Sequence, residues 1–278
     1  MLSMLKLLTI ISLLSTSIWA DKIEDKILKY EKKRISKNRS IKLKDIKLFL
    51  KKDLKQNGWI GYAYDVSLTI KGKDIRVKDI LFSNGTMISP ELIDIKTNQS
   101  FKKMMYPTLS LKYSDEEFLI AGNKNSKHKI VVFSDPLCPN CIDIMPQLIK
   151  DVKKNPKMLS LYYIHMPLSM HPPAKTIVKA SMIAAKQGIK NVTYKVYTAN
   201  FEEHFDAYEE KDNKKVLKIF NKKLNTNITM KQINSKELTK ELKHSLKLSD
   251  DAMVQGTPTV FFDGKIDQMR DKYLKYIK

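Results

Sequence analysis

The sequence predicts an α+β protein of two units, on three observations. Ile60, Tyr62, Tyr64, Val66, Leu68 and Ile70 fill every second position, the period of a strand with one buried face. Further along, the β-branched run Lys129 to Ser134, a helical stretch, and the apolar run Met158 to Met166 follow in β-α-β order. Helical periodicity then dominates from Pro172 to about Val254 before the chain returns to strand at Thr257 to Asp263.

The elements follow in order. Met1 to Ala20 reads as a secretory signal: Lys6 gives a positive start, Leu7 to Leu14 an apolar stretch, and Ser15 to Ala20 a small-residue exit with cleavage after Ala20. That apolar stretch is shorter than the ~18 residues of a membrane span. No cysteine lies near the cut for a lipid to modify. Asp21 to Asn57 is basic and helical in pattern. Ile23, Ile27 and Tyr30 mark the face of a first helix, and Leu43, Ile46, Phe49, Leu50 and Leu54 the face of a second at 3–4 spacing. After the Ile60–Ile70 strand, Lys71-Gly72-Lys73 turns the chain into a second strand, Ile75 to Phe82. Asn84-Gly85 then leads into a third around Met87 to Ile95. Residues 21–113 thus form a small helix-and-meander domain.

The second domain spans 114–278. Ser114-Asp115-Glu116-Glu117 looks like a helix cap with an acidic first turn, and Gly122 to Lys127 like a polar turn. The helix after the first strand buries Ile142, Met145, Leu148, Ile149 and Val152. Pro146 should kink it, because proline removes a hydrogen bond to the preceding turn. A helical insert covers about 172–254, and a short basic helix ends the chain.

The formal net charge of +21 invites a nucleic-acid reading, but the composition argues against it. Arginine, the residue suited to bidentate phosphate and base recognition, occurs only at Arg34, Arg39, Arg76 and Arg270. The lysines are spread over the whole chain among acids, as on solvated faces.

The chemistry is concentrated in Cys138-Pro139-Asn140-Cys141, which holds both cysteines of the chain. A structural zinc site needs about four ligands and no second C-x-x-C exists. Covalent haem attachment needs histidine after the second cysteine, where Ile142 stands. A permanent bridge this short would restrain the unfolded chain little. Reversible redox chemistry remains: a first cysteine opening a helix has its thiolate stabilised by free N–H groups and the helix dipole. The second, one turn on, can attack a mixed disulfide. Joined to an export signal, the pair points to disulfide handling in an oxidising compartment.

Phe133-Ser134-Asp135-Pro136-Leu137-Cys138-Pro139-Asn140-Cys141, followed far downstream by Gly256-Thr257-Pro258-Thr259-Val260-Phe261-Phe262, resembles the thioredoxin-fold Dsb proteins of the bacterial periplasm, most closely DsbG and then DsbC. Asn140 departs from both, which carry tyrosine there. Pro167 to Ala174 is similar to the segment that opens the helical insert of DsbA-like enzymes, and the likeness covers about residues 117–278. It implies a C-terminal thioredoxin fold with a helical insert and a smaller, cystatin-like N-terminal dimerisation domain. It implies Cys138 as an exposed nucleophile with a pKa of roughly 3.5–7, Cys141 as the buried resolving thiol, and Pro139 and Asn140 as tuning residues. Pro258 would be a cis-proline that, with the Thr257 backbone, binds substrate. His171 would pack the insert rather than react. The residue six before Cys138, acidic in some relatives, is Val132, so the proton of Cys141 must be handled by water or another group. No cofactor is implied beyond the Cys138–Cys141 disulfide. The implied partners are exported cysteine-containing proteins, a membrane redox partner of the DsbB or DsbD kind, and a second copy of the chain in a homodimer. Oxidase and isomerase or reductase remain open at this point, as does a periplasmic holdase chaperone with incidental thiols.

Overall fold

The computed structural model describes residues 22–277, so the expected signal sequence lies outside the described residues. The chain divides into two compact units, Met1–Met105 and Tyr106–Lys278.

In the first unit, helix α1 (residues 22–36) precedes a four-stranded antiparallel sheet of β1 (Ile41–Gln56), β2 (Trp59–Ile70), β3 (Lys73–Ser83) and β4 (Ile88–Ser89), in that order. The period-two pattern holds for β2, whose Tyr62, Tyr64, Val66 and Leu68 pack with Ile27 of α1, Ile46 and Leu81. Of the expected α1 face, Ile27 is buried but Tyr30 is exposed; the helix turns Glu31 inward instead.

The expected second helix is instead β1. Its register against β2 shifts between Leu43 and Asp45 and again between Leu48 and Leu50. Each shift is an irregularity that advances the phase of a strand by one residue. The inward positions Leu43, Ile46, Leu50 and Leu54 therefore fall at spacings that imitate a helix, and Phe49 is left exposed. The expected strand from Met87 to Ile95 is also cut short. Pro90 ends β4, and β5 (Ile93–Asp94) pairs with β6 (Gln99–Ser100) in a separate hairpin. A 3₁₀ turn, Phe101–Met105, closes the unit by burying Met105.

The second unit is a five-stranded sheet in the order β11-β10-β8-β9-β7. Its strands are β7 (Leu119–Ala121), β8 (His128–Ser134), β9 (Leu159–His165), β10 (Thr259–Phe262) and β11 (Lys265–Ile266). Strands β8 and β9 run parallel, joined by α2 (Pro139–Lys154), while β7, β10 and β11 are antiparallel to their neighbours. The acidic segment at Ser114 makes only a 3₁₀ turn, Glu116–Phe118, with the Asp115 carboxylate accepting from the Glu116 N–H. Gly122 enters the β7–β8 connection at φ +80°, where a Cβ would collide with the Leu159 carbonyl, so glycine is required there.

Alternation sends Ile130, Val132, Leu161 and Tyr163 toward α2, against Met145, Leu148 and Val152. Val131, Phe133, Tyr162 and Ile164 face the other way, against Leu248 and Ala252. Helix α2 runs on through Pro146 to Lys154. The insert comprises α3 (Ala174–Lys186), α4 (Val192–Tyr197), α5 (Asn213–Leu224), α6 (Met230–Ile233) and α7 (Lys236–Asp251), with a core of its own around Ile177, Ala180, Val216 and Phe220. Side chains at the helix starts satisfy free backbone N–H groups: Asp212 for α5, Thr229 with Gln232 in a capping box for α6, and Ser235 for α7. The chain ends in a 3₁₀ turn, Lys272–Tyr276.

Candidate active site

The site forms where β8 ends and α2 begins. Cys138 is the N-cap of α2, in extended backbone conformation, and Pro139 begins the helix with its ring already at helical φ. The Cys138 carbonyl accepts from the N–H groups of Cys141 at 2.9 Å and Ile142 at 3.0 Å, the bonds that start the helix. This places the first sulfur at the positive end of the helix and the second one turn inside it. The loop from Thr257 to Pro258, with a cis peptide bond, comes in from β10, and the Thr257 carbonyl lies 3.3 Å from Cys138 Sγ, which donates to it.

The two thiols are held differently. A hydrogen bond from the Cys141 thiol, reinforced by the Cys141 backbone N–H, outweighs burial and brings Cys138 down to about 5. Cys141 is fully buried, and desolvation together with its bond to Cys138 pushes it far upward. Ser134, the Asp135 N–H and Thr257 work the other way without cancelling that effect. Cys138 retains only 6% of its surface, less than the exposed position expected from sequence, because the Thr257 loop lies against it. Pro139 and Asn140 are exposed, so the tuning roles implied for them would be exercised from the surface of the first helical turn.

Asp135 organises the loop before Cys138. Its carboxylate is entirely buried, with Oδ1 accepting from the Leu137 N–H at 2.7 Å and Oδ2 from the Leu168 N–H at 2.6 Å. His171 Nδ1 lies 3.1 Å from Oδ2, and its ring meets Tyr208 edge-on at 5.0 Å. His171 therefore ties the insert to the site loop, without contact to either sulfur. On the sheet side, Val132 pairs with Val260 and brings no polar group toward Cys141. A cluster of hydroxyls does so instead. Ser134 Oγ is 2.6 Å from Tyr197 Oη, which is 2.9 Å from Tyr163 Oη.

Sequence reading quoted Ser134 and Asp135 only as parts of a motif and did not single out Tyr163 or Tyr197. The Asp-Pro pair before the first cysteine is the one local signal of the loop anchor. The tyrosines are 34 residues apart and carry no spacing signal, because only the packing of α4 on the sheet brings them together.

Residues 114–278 match the family model described as Thioredoxin, and the chain belongs to that family. Among curated proteins none matches the chain. Among solved structures it is similar to DsbA2 from Pseudomonas aeruginosa, with 18% identity over 58% of this chain and 91% of that one and a TM-score of 0.42. BdbD from Bacillus subtilis is 18% identical over 59% of this chain and 88% of that one, with a TM-score of 0.45. ScsC from Proteus mirabilis is 19% identical over 56% of this chain and 74% of that one, also with a TM-score of 0.45.

Proposed function

We propose that the protein is a thiol–disulfide oxidoreductase acting on exported cysteine-containing proteins. The asymmetry of its two thiols carries this reading. A sulfur brought to about 5 at a helix N-terminus is thiolate at neutral pH and ready to attack or to leave. The second sulfur, one turn on and shielded from solvent, is kept protonated until a mixed disulfide places an electrophile beside it. Cys138 is the nucleophile, Cys141 resolves, and the Thr257 backbone beside Pro258 pairs with an extended substrate chain so that its sulfur meets Cys138. The disulfide of the two cysteines is the only redox group required.

The sequence likeness to DsbG and DsbC, together with the expected signal, supports a periplasmic enzyme with residues 21–113 as a homodimerisation domain. A membrane redox partner of the DsbB or DsbD kind would restore the cysteine pair after each turnover. A low nucleophile pKa stabilises the reduced pair and so favours donation of a disulfide.

The test is reduction of insulin and refolding of scrambled ribonuclease by the wild type and by Cys138→Ser. The reading requires that the substitution remove both activities. Full aggregation suppression by a wild type that exchanges no disulfides would assign the protein to the chaperones instead. Direction is read from the redox state of the pair in cells, by acid quench and alkylation gel shift: oxidised for a disulfide donor, reduced for an isomerase or reductase.

A further inference from the structure

Resting on the thiol-exchange reading, we propose that the buried hydroxyl chain Ser134–Tyr197–Tyr163 stabilises the Cys141 thiolate, with Ser134 as the catalytic donor to the sulfur and the two tyrosines as positioning residues. Three observations carry this. Ser134, Tyr197 and Tyr163 retain 0%, 3% and 4% of their surface, so their hydroxyls have little access to water. The oxygens are linked at 2.6 Å and 2.9 Å, and in each pair either oxygen can donate. Tyr163, Tyr197 and Cys141 pack in one core cluster, with the Ser134 hydroxyl bonded to Tyr197, and the position six before Cys138 is the apolar Val132.

Such a chain can reverse its direction without moving a heavy atom. While Cys141 is a thiol, Tyr163 can donate to the Ser134 carbonyl at 3.4 Å, Tyr197 to Tyr163, and Ser134 to Tyr197. That order leaves the serine oxygen free to accept. As the thiolate forms, Ser134 turns its O–H to the sulfur, Tyr197 donates to Ser134, and Tyr163 to Tyr197. Three linked O–H dipoles then point toward the charge. Linked donors polarise one another, and in a dry site each is worth more than in water. Burial raises the phenols of both tyrosines, so they remain protonated donors across the working range.

The step balances as follows. In the mixed disulfide, the Cys141 thiol gives up its proton and its sulfur attacks Cys138 Sγ. The Cys138–Cys141 bond forms and the bond from Cys138 to the substrate sulfur breaks. The bonding electron pair and a proton go to the substrate sulfur, which leaves as a reduced thiol while the enzyme pair is oxidised. In the reverse direction Cys141 is the leaving group and the same charge develops on it. Other titratable or polar groups bear on this sulfur or its hydroxyl chain. Cys138 lies on α2, the Asp135 N–H and carboxylate on the site loop, Thr257 on the loop before β10, and His165 on β9. The His165 ring is 4.8 Å from that of Tyr163, and burial holds it neutral down to about 4.

The experiment uses the full chain, reduced, with 5,5′-dithiobis(2-nitrobenzoate) as probe. Attack by Cys138 releases one coloured thiolate, and resolution by Cys141 releases the second. Both rates are followed from pH 4 to 10 in the wild type, Ser134→Ala, Tyr197→Phe and Tyr163→Phe. Tyr162→Phe serves as control, since its hydroxyl is buried without a partner on the opposite face of β9. The second release should slow about 10-fold to 100-fold at pH 7 in Ser134→Ala and Tyr197→Phe, less in Tyr163→Phe, and its pH limb should move upward. The first release and the control should match the wild type. An unchanged second limb in Tyr197→Phe, or equal slowing of both releases, overturns the hydroxyl chain. A wild type that reacts with the probe but gives no second release overturns the thiol-exchange reading itself.

Discussion

In the N-terminal unit most charges stay near water: Arg76 pairs with Asp65, Lys44 with Asp74, and Arg34 bridges Asp79 to Glu31, while among the described residues of the unit Glu31 and Lys78 are the charges drawn inside. In the thioredoxin unit the sheet is covered on both faces, and one group of buried polar side chains gathers around the two sulfurs and the loop before them. Asp135, Ser134, Tyr163, Tyr197 and His171 all lie within the folded core, each with a specific hydrogen-bond partner. Burying polar atoms costs free energy unless they are paired. A surface ion pair stabilises its fold slightly, whereas a buried network fixes one geometry and makes its members expensive to change.

The largest test of that contrast is Asp135→Ala. The substitution leaves the Leu137 and Leu168 N–H groups without their acceptor and His171 without its partner. It should cost about 3 kcal/mol or more, read as a shift of the urea midpoint with an unchanged slope. A change below 1 kcal/mol would mean that water enters the site loop and that the contrast between the units is smaller than the geometry implies.

The next effect is the pH dependence of Cys138. Its folded-state pKa, about 5, lies below the reference 9.0. The unfolded chain therefore holds more protons on this thiol between those values, and the stability of the reduced protein rises with pH across that window. The contribution is complete above about 9 and lost as pH falls through about 5. Alkylation of Cys138 by iodoacetamide should accordingly be flat near neutrality and fall with a midpoint near 5. Cys138→Ala should remove the matching slope from the stability profile. A midpoint near 8 would deny the hydrogen bond from Cys141 its influence on the sulfur.

A smaller effect is expected at His165, half-buried at the end of β9 and lowered by desolvation from 6.5 to about 4. Between those values the unfolded state takes up a proton that the folded state refuses, so stability declines as pH falls from 6.5 to 4. His165→Phe should flatten that decline, seen as a shallower dependence of the melting temperature on pH.

How much of this was legible in the sequence follows the range of the interactions. β2, β8, α2 and β9 rest on local periodicity, and C-x-x-C with Gly-Thr-Pro marked both sides of the site, 119 residues apart at the Cys138–Thr257 contact. β1 was misread because its register shifts turn a two-residue period into spacings of three and four, information that exists only in the pairing with β2. The hydroxyl chain was invisible for a related reason. Tyr163 lies on a strand and Tyr197 on a helix, and neither has a neighbour in sequence that announces the other. Cys138 was expected exposed on the resemblance to the Dsb proteins; the loop carrying Thr257 covers it from far along the chain.

Arg76→Ala is the smallest expected effect and the sharpest control on the comparison. Arg76 Nε donates to Asp65 Oδ1 at 2.6 Å from the neighbouring strand, and its side chain is 59% exposed. Water already solvates most of the guanidinium, and holding the pair in place costs side-chain entropy. Asp65 is also not left alone, since Lys78 Nζ lies 3.5 Å from its Oδ2. Removal should therefore cost below about 1 kcal/mol and fade further in 0.5 M salt, where screening shortens the reach of exposed charges. Urea unfolding at low and high salt measures both. A loss approaching that of Asp135→Ala would show that the meander depends on its surface charges as the thioredoxin unit does on its buried ones.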